Sequence, residues 1–254
     1  MAYDKGIIVI PVRYGSHRLP GKALKDIAGK TMIHRTYEQS VLSGMDAVVV
    51  TDDEKIVEEC QKYDIPVEII SEPCLTGTDR VARYALTRDD KDWFINVQGD
   101  EPFANPKDIL KVAHQMNIGD RREVVNGMAP ITNSKDFHNV TIPKVIAWDG
   151  LLKYMSRAPV PYPYGPTEDL WSRAAMQQVC IYGFWKYHLY QLMKSGGEKT
   201  HYENIEDIEI LRFHEMGIPV RMLELEGTPV HVDTPEDLKL ARLIVKGYDA
   251  KEQT

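Results

Sequence analysis

Arg13, Arg18 and Lys22 crowd the stretch IPVRYGSHRLPGK (10–22), with Lys25 just beyond it, and no acidic residue occurs from Lys5 through Lys25. A guanidinium can fork two phosphate oxygens, an ammonium adds a point charge, and Gly15 and Gly21 let backbone N–H groups approach a ligand. Those parts suit a triphosphate. A lone basic run more often means a solvated turn. This one, however, follows the apolar run GIIVIPV (6–12), and strand carboxyl ends are where open α/β sheets bind ligands.

The familiar phosphate-loop spacings do not fit. In GxxxxGK[ST] the two glycines stand closer than Gly15 and Gly21, and Ala23 occupies the place of the metal-binding hydroxyl. GxGxxG is absent from the first strand and turn. Two carboxylates stand out further on: Asp100 follows WFINVQ in QGDEP, and Asp233 follows PVHV in VDTPEDL. Taken singly, the first suits a helix cap and the second a turn. As strand-end residues, both can converge on one rim. Thr76, Gly77, Thr78 and Arg80 in TGTDR fall at a strand-to-helix junction, where hydroxyls either read a base edge or cap the helix. No Ser-His-Asp or Cys-His pattern appears, and HEMG (214–217) lacks the second His of HExxH, so direct displacement is expected rather than covalent catalysis.

The elements that must hold these residues alternate. Strand-like runs at 6–12, 46–51, 67–70 and 93–98 are separated by amphipathic stretches at 31–44, 53–64 and 78–87. That order predicts an α/β fold with a doubly wound, mostly parallel sheet. From about 120 to 184 the pattern loosens through PKVIAWDG, APVPYPYGP and VCIYGFW, and this segment is expected to form a small β-rich inserted lobe within a single domain spanning 1–254. Regularity returns with a helix over ENIEDIEILRFHEMG ended by Gly217, strands at VRMLEL and PVHV, and a helix at TPEDLKLARLIVKG capped by Thr234 with Pro235 at its first position.

Composition narrows the function classes. The chain has 254 residues, 43% hydrophobic and 27% charged, with a net charge of −7. Such a balance opposes general affinity for nucleic acid or anionic membranes, so any anion site is local. Three cysteines without a CxxC pair support neither a disulfide scaffold nor structural zinc. The apolar stretch at 6–12 is too short for a membrane span and lacks a cleavage site, so a cytoplasmic protein is expected.

The loop PVRYGSHRLPGKAL resembles the signature of the cytidylyltransferases that activate 3-deoxy-manno-octulosonate (KDO), with small departures at Val12 and Ala23. VVVTDDEKI, TGTDRVA, NVQGDEP, PKVIAWDG, YMSRAPVPY and VDTPEDLKLAR follow in that family's order across nearly the whole chain. The resemblance implies a nucleotide-diphospho-sugar transferase-like, Rossmann-like fold, and the reaction of CTP with KDO to give CMP-KDO and pyrophosphate for lipopolysaccharide synthesis. It assigns Arg13, Ser16, Arg18, Lys22, Thr76, Gly77, Thr78 and Arg80 to the nucleotide, with Asp100 and Asp233 holding Mg²⁺. Arg13, Lys22 and the two aspartates would carry catalysis. Gln98, Arg157, Gln178, Tyr182 and Glu209 fall on sugar-site positions. A homodimer built through the irregular middle segment is also implied.

One departure bears on the acceptor. KDO enzymes usually read KHIGIYA[FY] where this chain has QQVCIYGF, so Gln178 replaces a His and Cys180 a Gly. Gln cannot become cationic, which keeps an 8-amino-8-deoxy relative of KDO open as acceptor. A nine-carbon sialic-type acid is disfavoured by the SHRLPGK form of the loop. From another class, a nucleotide-sugar-binding module without chemistry also stays open.

Overall fold

The computed structural model describes residues 3–16, 18–162, 174–227 and 231–252. Strand β1 (Gly6–Val12) leads through the basic loop into a short two-stranded pair, β2 (Asp26–Ile27) and β3 (Lys30–Thr31). Then come α1 (Met32–Val41), β4 (Ala47–Thr51), α2 (Glu54–Gln61), β5 (Val67–Ile69), α3 (Gly77–Leu86), β6 (Trp93–Val97) and α4 (Pro106–Ile118). The middle of the chain forms β7 (Val124–Pro130), α5 (Ser134–His138), β8 (Lys144–Trp148), β9 (Leu151–Ser156) and β10 (Met176–Trp185). It ends with α6 (Lys186–Lys194), α7 (His201–Glu206), α8 (Ile210–Glu215), β11 (Val220–Glu224) and α9 (Pro235–Glu252).

Nine strands form one sheet in the order β5-β4-β1-β6-β10-β7-β11-β9-β8. The half containing β5, β4, β1 and β6 is parallel throughout, as the alternating pattern requires. Beyond β6 the sheet becomes mixed: β10 runs antiparallel to β6 and β7, β11 parallel to β7, and β9 antiparallel to β11. The α/β expectation stands, with a mixed rather than mostly parallel sheet. Residues 124–185 supply four strands of this same sheet, and only the β8–β9 hairpin lies at its edge.

Central position explains why GIIVIPV is apolar without interruption. Every residue of β1 is buried, with Ile8, Ile10 and Val12 packing on one face and Ile7 and Val9 on the other. The first face is covered by α1, α2 and α4 through Ile33, Ile56 and Ile109, the second by α3, α6 and α8 through Val81, Leu189 and Phe213. A third, smaller cluster joins Leu19 of the basic loop, Ile27 and Met32 to Val232, Leu238 and Ala241. This apolar contact brings the Asp233 segment and α9 against the loop after β1.

Two local readings change. The helix expected over 203–217 breaks at Asp207, whose φ of 53° is left-handed, and resumes as α8. The break turns Glu209 toward α3. Of the strand expected at PVHV, His231 and Val232 are not in a strand, and Pro229 and Val230 lie outside the described residues, as do Pro163 to Pro166 of the proline-rich segment.

Candidate active site

A cleft of about 280 Å³ opens at the carboxyl ends of β1 and β6. Its floor is set by close packing: a Cβ on Gly99 would lie 2.7 Å from Val12 Cγ2 and 3.1 Å from the Pro11 carbonyl, so only glycine lets the QGDEP turn lie on the end of β1. The turn is fixed by the Glu101 N–H donating to the Gln98 carbonyl at 3.1 Å and by the Thr36 hydroxyl donating to the Gly99 carbonyl at 3.3 Å. On the other side, Gly21 has a left-handed φ of 63° and starts a 3₁₀ turn at Lys22–Leu24. Lys22 thereby points into the cleft.

The Lys22 ammonium donates to Asp100 Oδ2 at 2.5 Å and to Asp233 Oδ1 at 2.7 Å, and Arg18 Nη2 donates to Asp233 Oδ2 at 2.9 Å. Two carboxylates far apart in sequence therefore meet at one cation. Burial opposes the charge on Lys22, but Asp100 and Asp233 outweigh it and raise its pKa above the ordinary lysine value. Burial likewise works against the Asp100 carboxylate, and Lys22 wins, holding its pKa below the usual range. Hard carboxylate oxygens already converging on a positive centre are a donor set that fits Mg²⁺. Arg13 and Ser16 line the same cleft, and Arg13 is exposed.

The Asp233 side is anchored twice. The Asp237 carboxylate accepts from the N–H groups of Asp233 and Thr234, the Asp237 N–H donates to the Thr234 hydroxyl, and this capping box starts α9. Val232 N–H donates to the Asp100 carbonyl at 3.1 Å, tying one carboxylate loop to the other. Beside them His231 Nδ1 is ion-paired with Glu101 Oε1. Burial disfavours charge on His231, but Glu101, Asp100 and Asp233 raise its pKa to about 9. Cys180 completes a group with these two whose ligand atoms lie within 4.8 Å of one another.

The far wall is the N-terminus of α3. Thr76 caps the helix: its hydroxyl accepts from Asp79 N–H and donates to the Asp79 carboxylate, which also accepts from Thr76 N–H. Glu209 accepts from Gly77 N–H at 3.3 Å, Thr78 N–H at 2.9 Å and the Thr78 hydroxyl. Burial raises the Glu209 pKa above the ordinary value. The carboxylate lies where helix-end N–H groups favour negative charge. Behind it Arg212, fully buried, binds Asp79 Oδ1 at 2.6 Å and both oxygens of Glu203 at 2.5 and 2.6 Å. That triad locks α7 and α8 onto α3.

Of the residues expected from sequence, Arg13, Ser16, Arg18, Lys22, Thr76, Gly77, Arg80, Gln98, Asp100, Glu209 and Asp233 line the cleft. Arg80 does so with its guanidinium held by Asp52 at 2.6 Å and the Ile70 carbonyl at 3.1 Å, and Gln98 packs its amide over Gly77. Four are placed elsewhere. Thr78 is buried, and its hydroxyl is given to Glu209 at the start of α3. Arg157 gives its guanidinium to the carbonyls of Glu206, Asp207, Val140 and Thr141 and does not line the cleft.

Gln178 and Tyr182 are buried beneath the site. The Gln178 amide donates to Asn126 Oδ1 at 3.0 Å and to the Tyr182 hydroxyl at 3.3 Å, while Asn126 Nδ2 donates to the carbonyls of Val179 and Ile181. Those bonds satisfy a register shift in β10 between Val179 and Tyr182. The change at Gln178 thus acts on the strand that carries Cys180, not directly on the cleft surface. Cys74, Leu75, Lys199 and Asp207 also line the cleft, with Lys199 bound to Asp207 at 2.5 Å. No spacing pattern marks Lys199 or Asp207: Lys199 lies just ahead of α7, and Asp207 sits at the break of a stretch that reads as one helix.

The chain resembles known proteins along most of its length. A family model described as cytidylyltransferase matches residues 7–222. The 3-deoxy-manno-octulosonate cytidylyltransferase of Acaryochloris marina is 32% identical over 243 residues, covering 94% of this chain and 97% of that protein. That of Pseudomonas syringae is 34% identical, covering 94% of this chain and 98% of that protein. A CMP:2-keto-3-deoxy-manno-octonic acid synthetase solved with CTP superimposes with a TM-score of 0.87 at 31% identity, covering 96% of this chain and 99% of that one. The 4-diphosphocytidyl-2C-methyl-D-erythritol synthase of Anaerococcus prevotii shares the fold, with a TM-score of 0.63 at 14% identity. The likeness runs along nearly the whole length in sequence and in structure, and the chain belongs to the cytidylyltransferase family.

Proposed function

We propose that this cytidylyltransferase couples CTP to the anomeric 2-hydroxyl of KDO, releasing pyrophosphate and forming CMP-KDO for lipopolysaccharide synthesis. The observation that carries the reading is the meeting of Lys22, Asp100 and Asp233 beneath the basic loop. Arg13, Arg18 and Lys22 clamp the triphosphate and orient its α-phosphorus, so that the sugar oxygen attacks opposite the departing pyrophosphate. Asp100 and Asp233 would hold Mg²⁺, which supplies charge neutralisation and in-line alignment at the transferring phosphate. Glu209 keeps the N-terminus of α3 in place beside the nucleotide, and Gln98 presents its amide between that helix and Asp100.

A second acceptor, 8-amino-3,8-dideoxy-manno-octulosonate, is favoured by the uncharged Gln178 beneath the site, where KDO enzymes usually carry a His. Pyrophosphate release from CTP with each sugar decides between them. Faster turnover of KDO supports the first reading, and faster turnover of the amino sugar supports the second. Inertness with every ulosonic acid, equal to that of Asp100→Asn, would instead leave a nucleotide-sugar-binding module. The reading further includes reducing cytoplasm, in keeping with three free thiols. It also includes a homodimer near the exposed Trp148 and Tyr162, which sedimentation at micromolar concentration would reveal.

A further inference from the structure

We infer that His231 and Glu101 form a clasp that sets the separation of the two carboxylate loops, making both of them positioning residues for the metal-holding aspartates. The inference rests on the reading that Asp100 and Asp233 hold the divalent cation. Glu101 immediately follows Asp100, and His231 stands two residues before Asp233. Their side chains are 5% and 29% exposed and are ion-paired, Nδ1 to Oε1. Between them runs the backbone bond from Val232 N–H to the Asp100 carbonyl at 3.1 Å. One main-chain rung and one side-chain rung therefore join the loops directly behind the carboxylates.

The two loops differ in how they are otherwise supported. Gln98 to Glu101 is pinned to β1 and α1 by Gly99 packing and the Thr36 hydroxyl. The Asp233 segment has the α9 cap after it, the apolar packing of Val232 and the cations Arg18 and Lys22 at its carboxylate, and the clasp as its tie to the Glu101 side. His231 thus supplies the one side-chain tie described between the two loops from behind the carboxylates, where Lys22 joins them from the front. Charge argues the same way. Three carboxylates, Asp100, Glu101 and Asp233, crowd one rim. Lys22 and Arg18 pair with two of them, and His231 is the partner of the buried third. An unpaired carboxylate at that depth is costly, and the Cys180 thiol beside it carries no compensating charge.

Residues that orient metal ligands from behind usually change metal affinity by 10- to 100-fold when replaced. The test compares wild type with His231→Gln, Glu101→Gln, the double variant, His231→Lys and Asp100→Asn. Mn²⁺ binding in the presence of CTP is read by electron paramagnetic resonance, the Mg²⁺ concentration for half-maximal pyrophosphate release by kinetics, and integrity by thermal melting. His231→Gln is expected to weaken Mn²⁺ binding and raise the Mg²⁺ requirement by the same factor, about tenfold. CTP binding in the presence of a chelator should stay within about twofold, because the clasp touches no phosphate-clamping side chain.

Glu101→Gln should behave alike, and the double variant should be no worse than the weaker single, the mark of two residues acting through one contact. His231→Lys, which keeps a cation, should recover most of the affinity. If His231→Gln melts below the assay temperature, the double variant, free of the buried unpaired charge, carries the same metal measurement. Unchanged Mn²⁺ affinity in folded His231→Gln or in the double variant overturns the clasp, as do single effects that multiply. Wild-type Mn²⁺ affinity in Asp100→Asn would instead overturn the metal assignment itself.

Discussion

Lys22 Nζ lies 2.5 Å from Asp100 Oδ2 across 78 residues of chain, and the same ammonium reaches Asp233. A cation bonded to both carboxylates holds them together against their mutual repulsion, and it lowers the pKa of Asp100. Asp100→Asn and Asp233→Asn are each expected to lower kcat/KM by about 10³-fold while the fold persists, since each removes one charged oxygen from a transition-state site. Lys22→Met should cost about 10²-fold and weaken CTP binding as well, because it removes a phosphate partner and leaves two acids facing each other. Steady-state pyrophosphate release and calorimetric CTP binding check both.

Gly99→Ala forces a methyl group to 2.7 Å from Val12 Cγ2 and 3.1 Å from a backbone carbonyl. Neither neighbour is the free end of a flexible chain, so the QGDEP turn must lift from β1. A loss of about 1–3 kcal/mol in urea denaturation is expected. It should come with a fall in kcat larger than any change in the KM for CTP, since Asp100 moves while the basic loop does not.

Glu209→Gln keeps the shape of the side chain at the start of α3 but removes its charge from the helix end and weakens its bond to Thr78. About 1–2 kcal/mol of stability should be lost. If the carboxylate served only the sugar, stability would be unchanged and KM for the sugar alone would rise. Denaturation and kinetics on one preparation separate the two.

Arg212 is the sole basic residue of a buried group with Asp79 and Glu203. Arg212→Met strands two buried carboxylates, and a loss of about 3–5 kcal/mol is expected by chemical denaturation. Replacing Asp79 and Glu203 by apolar residues in the same variant should recover much of it.

His188 is buried in α6, and that burial lowers its pKa to about 4, against an ordinary 6.5. Between those values the unfolded chain binds the proton and the folded chain does not. Stability therefore falls as pH drops from 6.5 toward 4, by about 3 kcal/mol from this residue. In His188→Gln that part of the acid limb should flatten, while stability above pH 7 reports only the packing change. Urea midpoints from pH 4 to 8 give the comparison.

The chemistry-bearing loop, the paired aspartates and the parallel half of the sheet were readable in sequence because each depends on local facts. A fully buried parallel strand must be apolar throughout, as in GIIVIPV; a loop that binds phosphate must concentrate cations; and a helix start shows its cap, as Thr76 and Thr234 do. The second half of the sheet was hidden. The register shift in β10 breaks its alternation, β7 carries a Gly and ends in a Pro, and the left-handed turn at Asp207 interrupts a pattern that reads as one helix.

Side-chain partners were hidden for a different reason. Whether Arg157 meets a substrate or four backbone carbonyls, and whether Glu209 faces a sugar or caps α3, depends on which elements pack together across the sheet. The sequence by itself gathered the cations after β1, set carboxylates after β6 and before α9, and showed the alternation of strands and helices, since each of these is a local pattern, while the cytidylyl-transfer roles rested on resemblance. Only the tertiary structure decided that Lys22 joins Asp100 to Asp233, that His231 pairs with Glu101, and that Gln178 supports a strand beneath the site. Contacts between residues distant in the chain are set by the packing of the sheet and the apolar cluster of Leu19, Val232 and Leu238, and no spacing in the sequence records them.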